Sequence, residues 1–233
     1  MSKGVAFDLE GTVVNVEPAH HGAWIRAAGE IGVTLASPQE AIEKIPNFIG
    51  GPDGPIIEQI FALTSERQKP SGKEAQRFLD RKWAHYDALL GEIDLCPRAG
   101  FLEVYGKLCC AGIPVVIGTA VDLDKGIVLL KRSGLAKLFT LHEIIMLTDV
   151  KNPKPAPDCF LETARIMGVR PEEQLVFEDS PRGVASGVAA GSRVIGMPVY
   201  DHPLLKQKLL DAGAKRICID WAEVDIYELL RKY

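Results

Sequence analysis

The sequence predicts an α/β fold, a parallel sheet doubly wound by helices, with a separate helical domain inserted after the first strand. Three observations predict it. From about residue 98 to the end, short apolar runs alternate with amphipathic stretches of helical length. Such alternation implies a parallel sheet with helices on both faces. One more apolar run, residues 4–9 (GVAFDL), stands alone near the amino terminus. Between it and the alternating region, helical patterns appear without a convincing strand. The expected division is therefore a core of residues 1–16 and 93–233 and a cap of residues 17–92.

In chain order, residues 4–9 read as a buried strand with an acidic residue, Asp8, at its carboxyl end. The next strands are residues 113–118 (IPVVIG), 142–147 (HEIIML), 174–177 (QLVF) and 193–196 (RVIG), with 215–219 (KRICI) as a candidate sixth. Helices are expected over 98–111, 122–133, 157–167, 181–190 and 203–212. Pro157, Pro181 and Pro203 stand where a first helical turn begins, a position proline tolerates. Gly134, Gly168, Gly191 and Gly213 follow helix ends, as carboxyl-terminal caps do. In the insert, helices are expected over 18–31, 38–45, 55–63 and 72–90, with the Gly/Pro-rich IPNFIGGPDGP as a loop between the second and third.

Composition narrows the function. The chain has 233 residues, enough for one large domain or two unequal ones. A net charge of −4 without clustered basic residues argues against a nucleic-acid partner, which needs a basic face. Apolar runs fall short of the roughly 20 residues that span a bilayer, so no membrane partner is expected. The start MSKGVAFDLEGT lacks the series of a secretory signal, and the cytoplasm is the expected location. The five cysteines, Cys96, Cys109, Cys110, Cys159 and Cys218, are odd in number and form no CxxC pair. Neither a disulfide framework nor a zinc site is signalled. Cys109 and Cys110 are expected as small apolar packing residues.

Four segments carry chemistry: DLEGT at 8–12, GTA at 118–120, NPKPAPD at 152–158 and FEDS at 177–180. Three fall at carboxyl ends of predicted strands, the edge where an open parallel sheet binds ligands. An aspartate there can attack phosphorus and become an aspartyl phosphate. Attack by one anion on another needs neutralisation, and Mg2+ held by carboxylates and phosphate oxygens supplies it. Asp8 and Asp179 could share that ion, and Lys154 could neutralise the remaining phosphate oxygens. The Thr119 hydroxyl and nearby backbone N–H groups, that of Ala120 among them, can orient the phosphoryl group. Gly11 lets the backbone approach the ligand closely. Glu10 can protonate the leaving oxygen and then activate water. Taken singly, each segment has a plainer reading: DLEGT as a turn, Thr119, Asp179 or Ser180 as helix caps, Lys154 as a solvated loop residue.

In this order and spacing, the segments resemble the haloacid dehalogenase superfamily, whose motifs are DxDGT or DxDGV, a strand-ending Ser or Thr, a Lys and an acidic pair. Here these are Asp8, Thr119, Lys154, and Glu178 with Asp179. KPAPD and FEDSPRGVASGVAAG look most like the branch of β-phosphoglucomutase and the small sugar-phosphate phosphatases. The resemblance covers nearly the whole chain and includes a helical cap between the first two motifs. It implies a Rossmann-like core and a magnesium-dependent phosphatase acting on a small phosphorylated metabolite, as a monomer or homodimer. By position, it implies Asp8 as nucleophile and metal ligand, the Glu10 carbonyl and Asp179 as metal ligands, and Glu178 as ligand or its support. It implies Thr119 and Lys154 as phosphoryl-binding groups and the Glu10 side chain as acid and base.

Two departures matter. Glu10 stands where the second aspartate is usual, though the enolase-phosphatase branch also reads DxEGT. A small residue there would mark phosphonate chemistry, and dehalogenases lack the metal-site acids, so both are disfavoured. The mutases usually carry a cap arginine that grips a second phosphate; residues 46–55 hold Asp53 and no arginine. A phosphatase is thus preferred to a phosphomutase, with a non-catalytic phospho-ligand-binding regulator as a third reading. Phe48 and Ile49 suggest a partly apolar contact surface on this loop. His20 falls twelve residues after Asp8, where the mutase branch has a substrate-handling histidine. It is a candidate substrate contact or an interfacial polar residue. Asn15 and Glu17 are candidate caps of the first insert helix or substrate contacts. His85, His142 and His202 read as structural or surface residues.

Overall fold

The computed structural model describes residues 2–65 and 69–233. The chain forms two compact units, Met1–Asn15 with Leu95–Tyr233, and Val16–Asp94. Helices α1 (Glu17–Glu30), α2 (Pro38–Lys44), α3 (Asp53–Phe61) and α4 (Gly72–Glu92) belong to the second. Helices α5 (Phe101–Cys110), α6 (Leu123–Arg132), α7 (Asp158–Met167), α8 (Pro181–Ala189), α9 (Pro203–Asp211) and α10 (Ile226–Lys232) belong to the first. Among the described residues no helix is long and apolar enough to cross a membrane.

The first unit is a Rossmann-like α/β fold. Strands β1 (Gly4–Phe7), β2 (Val115–Gly118), β3 (Ile144–Ile145), β4 (Gln174–Glu178), β5 (Arg193–Gly196) and β6 (Arg216–Ile217) form one sheet in the order β3-β2-β1-β4-β5-β6. Every pairing is parallel. β1 is buried at all four positions, as a strand covered on both faces must be. Alternate residues feed different cores. Phe7 packs with Phe101, Phe177 and Trp221, whereas Ala6 joins Phe160, Val176, Val184, Val194 and Leu209. The chain moves outward from β1 through β2 to β3, then returns to β1's other side with β4. Strand order therefore reverses between β1 and β4, and the crevice at their carboxyl ends is where such a sheet takes ligands. The register pairs Phe7 with Ile117 and with Phe177. The segments following β1, β2 and β4 thus emerge side by side.

Some expected elements differ. β3 and β6 keep two residues each instead of six and five. Around β3, Glu143 accepts hydrogen bonds from Thr140 N (2.8 Å) and Oγ1 (2.9 Å), and Asp149 accepts one from Met146 N (2.8 Å). These local bonds favour single 3₁₀ turns over further ladder. α5 begins at Phe101, not at 98, because Pro97 pairs with Val14 and the Arg98 N–H donates to Val13 O at 2.7 Å. Its buried face is Phe101, Val104 and Leu108. That spacing turns Cys109 and Cys110 outward, and both are exposed rather than packed.

In the second unit, α1 packs along α4. α4 opens with a capping box: Ser71 Oγ accepts from Glu74 N, and Glu74 accepts from Ser71 N. α1 begins at Glu17 with Val16 as its cap residue and no side-chain cap, so neither Asn15 nor Glu17 caps it. α3 begins at Asp53, which draws the end of the expected loop into its first turn. An acidic residue is favourable at that position. Phe48 and Ile49 are buried within the described structure, 2% and 9% exposed, so they pack instead of presenting a contact surface.

Candidate active site

Asp8 follows β1 directly, and its N–H donates to Phe177 O of β4 at 3.0 Å. This last ladder-like bond sets the Asp8 side chain at the carboxyl edge of the sheet. The next residues turn sharply: Val13 N and Val14 N both donate to Leu9 O, and Gly11 N donates to Val14 O. Glu10 lies partly exposed on that turn.

Lys154 reaches the same edge from the segment before α7. Its Nζ donates to Asp8 Oδ1 at 2.6 Å, Glu178 Oε1 at 2.8 Å and Gly118 O at 3.0 Å. An ammonium has three N–H bonds, and all three find acceptors. Arg182 Nη2 donates to the Lys154 carbonyl at 2.6 Å and ties this segment to α8. Glu178 ends β4. Its Oε2 accepts from Ser180 N (2.8 Å) and Oγ (3.0 Å), while Ser180 Oγ caps α8 by accepting from Gly183 N. A Cβ on Gly183 would stand 1.6 Å from Glu178 Oε1, so this position must be glycine for the carboxylate to lie there.

Asp179 completes the acidic group. Gly11 has φ +76°, and a Cβ built on it would stand 2.1 Å from Asp179 Oδ2. The bare Gly11 backbone and the Asp179 carboxylate therefore occupy adjoining space. One carboxylate oxygen from each of Asp8, Glu178 and Asp179 lies within 4.8 Å of the others. Three hard oxygen donors, two of them sharing one ammonium, fit a divalent cation such as Mg2+.

The electrostatics agree. Burial drives the Asp8 carboxyl well above the ordinary carboxylate range; Lys154 pulls it back, and Glu178 and Glu10 push it further up. Burial lowers Lys154, but Asp8 and then Glu178 outweigh this and hold its ammonium above the ordinary value. A divalent cation among the carboxylates would offset the smaller part of the Asp8 rise, the repulsion from Glu178 and Glu10. The buried Cys159 thiol is pushed up to about 11 by burial, with Lys154 opposing, and stays protonated.

Thr119 follows β2. Its N–H donates to Ile145 O at 2.9 Å and its Oγ1 accepts from Val121 N at 3.3 Å. Asp122, rather than Thr119, caps α6 by accepting from Lys125 N. Ala120 is exposed at the same edge. Asp8, Glu10, Gly11, Thr119, Ala120, Lys154, Glu178 and Asp179 thus come together on one unit. His20 belongs to the helical unit, where its ring lies 4.2 Å from that of Tyr86 and its Nδ1 lies 3.4 Å from Lys82 Nζ. Sequence reasoning missed Ser180 as the support of Glu178, and it missed Arg98 and Lys82. FEDS carried the signal for the first, since a serine after the acidic pair can both cap a helix and hold a carboxylate.

A family model describing haloacid dehalogenase-like hydrolases matches residues 2–191. Hexitol phosphatase A of Escherichia coli K12 is 33% identical over 210 residues, 88% of this chain and 88% of its own. The fructose-1-phosphate phosphatase of the same organism is 29% identical over 189 residues, 81% of this chain and 92% of its own. A conserved haloacid dehalogenase-like protein of unknown function from Agrobacterium tumefaciens shares the fold at a TM-score of 0.84, with 25% identity and 100% of each chain covered.

Proposed function

We propose a reaction for this chain, which belongs to the haloacid dehalogenase-like hydrolase family: magnesium-dependent hydrolysis of a small sugar or sugar-alcohol phosphate through an aspartyl phosphate on Asp8. The observation that carries the reading is the buried Asp8 carboxylate, held at 2.6 Å by Lys154 and crowded by two further carboxylates at the switch point of the sheet. The two phosphatase relatives support the substrate class.

Asp8 attacks phosphorus, and the bond to the leaving alcohol breaks as Glu10 gives that oxygen a proton. Glu10 then takes a proton from water, whose oxygen attacks phosphorus and breaks the bond to Asp8, freeing inorganic phosphate. Lys154 neutralises phosphoryl charge, while the Thr119 hydroxyl and the Ala120 N–H hold phosphoryl oxygens. Asp8, Asp179 and the Glu10 carbonyl would hold the Mg2+. Glu178, both of whose oxygens already accept hydrogen bonds, adds charge beside it and fixes Lys154. When bound, the ion supplies neutralisation of the phosphate and the nucleophile. The setting is cytoplasmic, and the partner is a small phosphorylated metabolite.

The test is phosphate release from a panel of hexose, hexitol, pentose and two-carbon phosphates with Mg2+. Wild type should turn over at least one, and chelation should abolish this. If wild type never exceeds Asp8→Asn, the reading fails. Isomerisation that needs a bisphosphate primer and frees little phosphate would replace it with a phosphomutase; the absence of arginine from residues 46–55 disfavours that outcome. His20→Ala tests the substrate contact expected of His20, which predicts a raised KM at unchanged kcat.

A further inference from the structure

We infer that Arg98 is a positioning residue for the cation site: its side chain clamps three loops at the carboxyl edge of the sheet and, through Gly11, fixes where Asp179 stands. The inference rests on the metal reading above but not on the identity of the substrate. Arg98 Nη1 donates to Gly11 O at 2.7 Å and to Met197 O at 2.9 Å. Nη2 donates to Ile219 O at 2.6 Å and makes a long contact of 3.5 Å with Pro198 O. These carbonyls lie in the segments after β1, β5 and β6. The main chain adds to the clamp, since Arg98 N donates to Val13 O and Pro97 pairs with Val14. The β5 segment is itself joined to the acidic pair, because Met197 N donates to Glu178 O at 2.7 Å.

The consequence runs through Gly11. Its backbone adjoins the Asp179 carboxylate so closely that a methyl group would stand 2.1 Å from Oδ2. Any shift of the Gly11 carbonyl therefore moves the space that Asp179 can occupy. The hydrogen-bond acceptors of the guanidinium are neutral carbonyls. Its charge is left to act on the nearby carboxylates of Asp179 and Asp220. Only an arginine offers several donors in a fixed fork able to reach three loops. A lysine would keep the charge and lose the clamp.

Arg98→Lys and Arg98→Gln are compared with wild type by calorimetric titration of Mg2+ into metal-free protein, with melting curves recorded without metal. Supporting groups of this kind typically cost about tenfold or more in metal affinity when replaced, and Arg98→Lys should show that loss. Saturating Mg2+ should restore most of kcat. A lowered melting temperature with unchanged Mg2+ affinity in folded Arg98→Lys would show a merely structural role and overturn the inference. Should both variants fail to fold, the Arg98 side-chain N–H signals of wild type decide by NMR: they should shift on Mg2+ titration, and unmoved signals would overturn it. Wild type that binds no Mg2+ would sink this inference and the metal reading together. Wild type that binds Mg2+ yet hydrolyses no phosphate ester would sink the phosphatase reading alone.

Discussion

The two units bury charge in opposite ways. In the helical unit, Glu17 meets His21 at 2.7 Å, and both are largely shielded from solvent. Lys82, 1% exposed, sets its Nζ 3.3 Å from the ring centre of Trp83 and 4.9 Å from that of Trp24. Burial pushes Glu17 up, but His21, then His20 and Lys82, outweigh it and hold the carboxyl at about 2. In the sheet unit, Asp8 and Glu178 share the ammonium of Lys154 while the charge of Arg98 acts on Asp179. Asp8, raised first by burial and then by Glu178, rises instead. A buried acid matched by bases is a structural element already satisfied. Buried acids in excess are an arrangement that a cation completes.

The largest effect that could break this contrast is catalytic. Asp8→Asn should lower turnover by a factor on the order of 10⁴ or more, as loss of a nucleophile does. Without Mg2+ its melting temperature should hold or rise, because a desolvated charge is removed. A clear fall would show that the acidic group is compensated after all. Next in size, Lys154→Met leaves Asp8 and Glu178 facing each other unpaired. It should destabilise the metal-free protein by about 3–5 kcal/mol in urea unfolding.

Glu17→Gln sharpens the other side. A carboxyl depressed from 4.5 to about 2 contributes stability above pH 4.5 that is lost as pH falls through 2. The shift corresponds to about 3 kcal/mol at pH 6. Urea unfolding of Glu17→Gln should show a deficit of that order at pH 6, shrinking as pH falls from 4.5 towards 2. A deficit that does not change with pH would mean the carboxylate is not held by its bases. The smallest effect is Gly11→Ala, whose methyl group meets Asp179 Oδ2. It should weaken Mg2+ binding about tenfold by calorimetry, or about 1.4 kcal/mol.

Much of the sheet unit was readable in the sequence. Its strands are continuous apolar runs, and Asp8, Thr119 and Glu178 with Asp179 stand where such runs end. The parallel register of β1 with β2 and β4 then brings together residues that lie more than a hundred positions apart. Arg98 was not readable. It was assigned to a helix, and its acceptors lie 87 to 121 positions away, one in DLEGT and the others in segments after β5 and β6 that carry no motif. The burial of Lys82 was hidden for a related reason. RKWAHYD is a largely polar stretch of α4, and the packing of α1 on α4 encloses the lysine among Trp24, Trp83 and Tyr86. The two-residue strands β3 and β6 were overextended because apolar content alone does not show where local side-chain bonds end a ladder.

The central claim is that Asp8 takes the phosphoryl group and Glu10 governs its release. Glu10→Gln mixed with p-nitrophenyl phosphate and Mg2+ tests both, because this leaving group needs no acid. The account predicts a burst of nitrophenolate stoichiometric with enzyme, little turnover afterwards, and a phosphoryl group on the peptide bearing Asp8 after acid quench. Turnover at the wild-type rate, or nitrophenolate release with the phosphoryl group on another residue, would contradict it.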